Sequence, residues 1–285
     1  MPEQSATDQP GVVPAVRRTA GTMFAALHGE LIAHAWGDPG FEYDAYSLFH
    51  QRSLAMGWLD DRSAGGGSED RLRRAPGLWA MNDAGWNDRS NASRTDLVSW
   101  FQVEASAVAD DRPLPVRSFL QCAESATVQL GTLRLTAVQL LLPVQGLDAA
   151  ARPAYAPLPS MLTADWFAER DPRSRTAVEV NINSGRYTSV PDAAERIADC
   201  LRHLDQPVFA YSSYDLVGRD AVLAPPFDDS FWNGPPVHGM VLRGELTEWS
   251  CDAIGWLAET LADTAASLGV RTPLLFTVTR TRSAG

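Results

Sequence analysis

The sequence predicts an α+β fold of mostly antiparallel sheets with helices on one face, and three observations carry that prediction. In the stretch AVEVNIN, Val178, Val180 and Ile182 fall on one side and Glu179, Asn181 and Asn183 on the other, the period-two pattern of a half-buried strand. Downstream, Ala194, Ile197, Ala198, Leu201 and Leu204 recur at helical spacing, as do Ile254, Leu257, Leu261, Ala265 and Leu268. Between and around these helices lie further short β-rich runs bounded by Pro, Gly and Asp, so strands and helices interleave rather than segregate.

The elements follow in chain order. TMFAALHGELIAHAW reads as a strand or a short hairpin, YDAYSLFHQRSLAMGWL as a helix and PGLWAMN as a strand. TDLVSWFQVEASAVA reads as a helix capped by Ser93 or Thr95, with Leu97, Val98 and Phe101 beginning its buried side. VRSFLQCAES and TVQLGTLRLTAVQLLLP read as a pair of strands, and ARPAYAPLPS as a proline-rich connection. After the AVEVNIN strand, Ser189 and Asp192 supply a helix start. PVFAYSSYD is a second strand and VHGMVLRGELTE a third. Ser250 caps the next helix, which Gly269 ends, and TPLLFTVTRTR is a fourth strand.

The order strand, helix, strand, strand, helix, strand over the C-terminal half resembles the split βαβ arrangement of ferredoxin-like folds, a likeness of architecture that carries no function. The domain plan is therefore a disordered tail over residues 1–18, an N-terminal α+β half over 19–149, a Pro-rich linker over 150–176 and a ferredoxin-like half over 177–285. For the N-terminal half a degenerate structural repeat is the open expectation, without a repeated residue motif behind it. Several strands keep a polar side: Glu179, Asn181 and Asn183; Tyr211 and Ser213; Thr277, Thr279 and Thr281. Two sheets meeting through such faces would enclose a partly polar pocket; otherwise the faces meet solvent.

Composition excludes more than it assigns. All 24 basic residues are arginine, so mechanisms that rest on lysine, namely the P-loop, pyridoxal imines and Schiff-base aldolases, lack their amine. Arginine binds anions but carries protons poorly near neutral pH, which leaves Asp, Glu, His, Tyr and Cys for proton transfer. The same bias points to a GC-rich genome of the actinobacterial kind. A net charge of −11 opposes nucleic-acid and anionic-membrane partners, and RLRR at Arg71 to Arg74 reads as a solvated loop. Cys122, Cys200 and Cys251 are scattered, which fits a reducing cytoplasm rather than a disulfide framework or thiolate metal site. The first residues lack a basic start before an apolar run, the pattern of a secretion signal, and no apolar run is long enough to span a bilayer.

The five histidines form no HxH or HExxH pattern, and neither a nucleotide-binding glycine fingerprint nor a GxSxG elbow is present, so the expectation is no metal and no cofactor. Carboxylates remain. Asp83 and Asp88 sit among Trp79, Trp86 and Trp100, and indole rings around a carboxylate would desolvate it and raise its pKa toward values useful for proton transfer. His238 shares strand parity with Met240, Leu242 and Leu246 and is the candidate partner, although a hydrogen-bonded core histidine has the same pattern. The loop APPFDDSFWNGPP, with Trp232 near its end, is stiff enough to cap a pocket.

The expectation is a cofactor-independent enzyme acting on a small molecule by elimination, cyclisation, isomerisation or hydration, in specialised metabolism. Asp83 or Asp88 would carry the proton, Trp79, Trp86 and Trp232 would form the walls, and an arginine would anchor an anionic substrate. The alternative is a non-catalytic small-molecule binding or resistance protein, or a subunit of a homo- or hetero-oligomer, since nine tryptophans suit an interface as well as a pocket.

Overall fold

The computed structural model describes residues 21–34, 44–59, 79–86, 96–105, 108–218 and 223–281. Among them the chain runs β1 (Gly21–Ala33), α1 (Ala45–Ala55), β2 (Ala80–Trp86), β3 (Leu97–Ala105), α2 (Val116–Val128) and β4 (Gly131–Leu142), then β5 (Thr176–Asn183), α3 (Ser189–His203), β6 (Phe209–Val217), β7 (Gly239–Leu246), α4 (Cys251–Ser267) and β8 (Leu274–Arg280). All eight strands form one antiparallel sheet in the order β2-β3-β1-β4-β8-β5-β7-β6. The α+β class and the antiparallel pairing are as the sequence predicts. The halves meet edge to edge, through a β4–β8 ladder running from Ala137↔Thr279 to Leu142↔Leu274, so two polar sheet faces do not close on each other.

Two N-terminal elements differ from the sequence reading. Residues 97–105 are a strand, because Phe101, Val103 and Ala105 point into the core while Gln102 and Glu104 point away, and Met23 to Leu27 supply a pairing edge alongside. Residues 116–128 are a helix: Val116, Phe119, Leu120, Ala123, Ala126 and Thr127 are buried at i, i+3, i+4 and i+7 spacing. The proposed caps Ser93 and Thr95, and the RLRR run, lie outside the described residues.

All four helices of the described residues pack on one face of the sheet. Their apolar residues share a single core with alternate strand residues, among them Met23, Ala25 and Leu27 of β1 and Val178, Val180 and Ile182 of β5. Helix α4 is central and is buried from Cys251 to Ala266 except at Asp252; Ser250 caps it, its hydroxyl accepting from Ala253 N at 3.1 Å. The proline-rich segment is tied down rather than loose. Arg152, 3% exposed, donates to Asp263 of α4 at 2.8 Å and to the carbonyls of Asp110 and Arg112, and the Trp256 indole donates to Ser160 O at 2.8 Å.

Irregularities in the strands set which side chains face which way. In β1 the register shifts at His28/Gly29, and Gly29, with φ +153°, sits where a Cβ would fall 2.1 Å from Arg134 O, so only glycine fits this bulge. In β6 a shift between Tyr211 and Ser213 puts Tyr211 opposite Gly244 on the helix side and Ser213 opposite Arg243 on the other. The shared polar face expected of these two residues is thereby split.

Candidate functional site

The helix-free face of the sheet collects the residues that the helices do not need. Register places Gln139 beside Thr277 and Thr277 beside Asn181, so a row of neutral polar side chains crosses the three adjacent strands β4, β8 and β5, with Ala26 of β1 next to Gln139. Gln139, Thr277 and Asn181 are nonetheless buried. The segment between β6 and β7 lies over part of this face. Leu223 O accepts from Gln139 Nε2 at 2.8 Å, and the rings of Phe227 and Phe231 pack on Phe24 with centroids 4.9 and 6.2 Å away. Phe24 in turn stacks on Trp100 at 5.9 Å. Beyond the row, toward β6, Arg243 pairs with Glu179 at 2.8 Å and with Asp215 at the exposed surface.

The hydrogen bonds fix a tautomer. A carbonyl oxygen only accepts, so Leu223 O identifies the Gln139 atom facing it as the NH₂ group, and Gln139 Oε1 is then the acceptor that meets His28 Nε2 at 3.1 Å. His28 Nε2 therefore carries the proton, and Nδ1 keeps a lone pair, buried and without a hydrogen-bond partner. Burial also lowers the His28 pKa, against weaker opposing effects from Gln139 and the Asp96 charge, so the neutral ring is favoured. The chain His28, Gln139, Leu223 fastens the start of the β6–β7 segment to the middle of the sheet.

A cavity of ≈ 200 Å³ opens where β1 begins and β3 and β4 end, under Phe231 and Trp232. Thr22, Glu104, Leu141 and Gln145 complete the part of its lining that matters chemically. Gln145 Oε1 is buried there without a hydrogen bond. The Glu104 carboxylate is exposed and accepts from Asn82 Nδ2 at 3.2 Å. No arginine is in the lining among the described residues, so the anchor expected for an anionic substrate is not supplied here. His28 is six residues along β1 from Thr22, about 20 Å at strand rise, with the aromatic cluster between. The cavity and the histidine are separate places.

The sequence candidates distribute as follows. Asp83 is exposed on β2 and accepts from Ala84 N at 2.9 Å; it stands opposite Gln102 and so shares the helix-free face with Glu104. Asp88 lies outside the described residues. Trp79 is buried in the helix-side core, and Trp86 packs on that core edge-on to Phe101 at 6.1 Å, so strand alternation turns both away from Asp83's face. Trp232 does line the cavity. His238 is half-buried just before β7, where its backbone N donates to Gly185 O at 3.0 Å and its carbonyl accepts from Ser184 N at 2.9 Å. Six inter-strand steps, about 29 Å in all, separate β2 from β7, so Asp83 and His238 are not brought together.

Glu104 and Gln145 were not among the candidates. Glu104 falls in the segment read as a helix; the alternation Phe101, Gln102, Val103, Glu104, Ala105 is the signal that locates it. Gln145 has no sequence signal, because its place depends on Pro143 ending β4 beside β1.

Titratable groups in the helix layer serve packing. Glu259, buried on α4, accepts from Arg117 N at 2.9 Å and so caps α2, whose own N-cap residue, Pro115, offers no side-chain acceptor. Burial pushes its pKa up to about 8, against the opposing pull of Arg117. Burial also holds the Cys251 thiol well above its ordinary range, where it stays protonated and unreactive. No group of three or more His, Cys, Asp or Glu suited to a metal ion occurs among the described residues, and none of their helices is long and apolar enough to cross a membrane. No family model, curated protein or solved structure matches the chain.

Proposed function

We propose that the protein binds a small molecule in the cavity between the helix-free sheet face and the β6–β7 segment. The observation that carries this reading is the cavity of ≈ 200 Å³ itself, whose lining under the β6–β7 segment combines an indole with a carboxylate. The net charge of −11 favours a small-molecule partner over nucleic acid. The scattered, unpaired cysteines suit a reducing, cytoplasmic setting.

The architecture is proposed to be two ferredoxin-like units from one structural repeat. Both halves run strand, helix, strand, strand, helix, strand, and the neighbour order β2-β3-β1-β4 corresponds to β6-β7-β5-β8. On this reading the β6–β7 segment is where the halves differ in use, since it leaves the second unit to cover strands of the first.

A second reading is acid–base catalysis in the same cavity, needing no lysine-dependent cofactor, with Glu104 as the proton carrier in place of Asp83. It is favoured by Glu104 being the carboxylate at the cavity while Asp83 lies outside the lining. One experiment addresses both. Mixed small-molecule fragments are added to the full chain and the Trp232 indole N–H signal is followed by NMR, with Trp232→Phe for assignment. Binding predicts fragments that move this signal and lose affinity in Trp232→Ala; a silent Trp232 across a broad set would sink the cavity reading. A hit recovered unchanged is a ligand, whereas a hit altered by the native chain and not by Glu104→Gln is a substrate.

A further inference from the structure

The cavity's lining, on the reading just given, also specifies what kind of molecule suits it. Glu104 is the ionisable group in the described lining; neither arginine nor histidine lies there to neutralise it. Its carboxylate accepts from the uncharged amide of Asn82, at 3.2 Å. Phe231 and Trp232 add two aromatic rings whose faces carry negative quadrupole potential. An anion in this space would meet Glu104 without a countercharge. A cation would be attracted by the carboxylate and the rings together. The net charge of −11 works in the same direction over longer range.

We propose that the cavity takes a small organic cation, an alkylammonium compound or the ammonium head of a longer one. Size limits it further: pockets for drug-sized ligands run about 300–1,000 Å³, and this one has ≈ 200 Å³. A head group of the size of choline is the appropriate scale.

The test titrates three probes of similar shape into the full chain and follows the Trp232 indole N–H signal: choline, its uncharged carbon isostere 3,3-dimethylbutanol, and the anion 3,3-dimethylbutyrate. Choline is expected to move the signal saturably, with the isostere about tenfold weaker or worse and the anion without effect. Glu104→Gln should weaken choline by about tenfold and leave the isostere unchanged, with an unaltered unfolding midpoint because Glu104 is exposed. Equal binding of the isostere or the anion, or an unaffected choline affinity in Glu104→Gln, overturns the cation assignment while leaving the cavity reading intact. If none of the three moves the signal, the cation assignment is likewise overturned, and the cavity reading then stands or falls on the fragment experiment.

Discussion

The two sides of this sheet are made from the same strands, residue by residue in alternation, yet they are built to different rules. Against the helices, β1 presents Met23, Ala25 and Leu27, and β8 presents Leu274, Phe276 and Val278, all in one continuous apolar core. On the other side the same two strands present Phe24, Ala26 and His28, and Leu275, Thr277 and Thr279. Four helices of the described residues cover the first side in a mostly apolar contact, inside which Ser99 and Thr127 pair their hydroxyls at 2.8 Å. One loop segment covers part of the second through a few ring contacts and one carbonyl, Leu223 O. Gln139 is paired there with His28 and with Leu223 O, whereas Asn181 is buried with both side-chain polar atoms unpartnered. Each side has its own cavity: one of ≈ 200 Å³ lies beside the loop resting on aromatic rings, and one of ≈ 450 Å³ lies between α1 and the end of α2, lined by Leu48, Arg52 and Val128 among others.

The contrast can be broken in several places. Phe101→Ala removes a ring that is 0% exposed and stacked on Phe49 at 4.7 Å, and by core-truncation experience it should cost about 3–5 kcal/mol in urea unfolding. A cost below about 1 kcal/mol would mean the helix side is loosely packed and the comparison fails.

Next in size is a pH dependence of opposite sign on the two sides. Glu259 holds its proton more tightly folded, with pKa about 8 against 4.5. Its contribution is fully present below about 4.5 and is lost as pH rises toward about 8, at up to about 1.4 kcal/mol per pH unit. His28, with its pKa lowered from 6.5, contributes stability that is present above 6.5 and lost as pH falls through its folded value. Unfolding midpoints across pH should therefore lose their alkaline fall in Glu259→Gln and part of their acid fall in His28→Gln. Both variants leaving the profile unchanged would contradict the burial assigned to these groups.

Gln139→Met tests the loop side alone. It removes the acceptor for His28 and the donor to Leu223, so a loss of about 1–3 kcal/mol is expected, with faster backbone hydrogen exchange from Leu223 to Trp232; exchange at native rates would show that Gln139 does not hold the segment down. Smallest is Asp83→Asn. The side chain is exposed, so stability should stay within about 0.5 kcal/mol, and the Trp232 signal should not move. A large effect would return Asp83 to the site.

How far the fold could be read from sequence depends on where burial is one-sided. AVEVNIN alternates cleanly because helices cover Val178, Val180 and Ile182 and nothing apolar is needed opposite. The helix at Ser250 was legible from its cap and from its stripe, although the structure buries nearly its whole circumference. The segment from Leu97 was ambiguous: Leu97, Val98 and Phe101 fit a helical stripe, and only the paired edge of β1 selects the alternation over Gln102 and Glu104. For Val116 to Ser125 the β-forming Val and Phe outweighed a helical spacing that was present all along. The site suffered from the same ambiguity. Trp232 was found because its loop is rich in aromatics and prolines, Glu104 was hidden by the helix reading, and the Gln139–His28 bond joins residues 111 positions apart by a register no local pattern encodes.

The strand order also has a bearing on biosynthesis. β8, the last strand in the described chain, is not added at an edge but sits between β4 and β5, holding the two halves together by ladders on both sides. A nascent chain emerging N-terminus first can pair β1 with β3 and β4 early, but it must keep the exposed side of β4 unpaired until residues 274–280 leave the ribosome. Until then two open strand edges, β4 and β5, are available for wrong partners, so this is the stage at which a chaperone has most to protect.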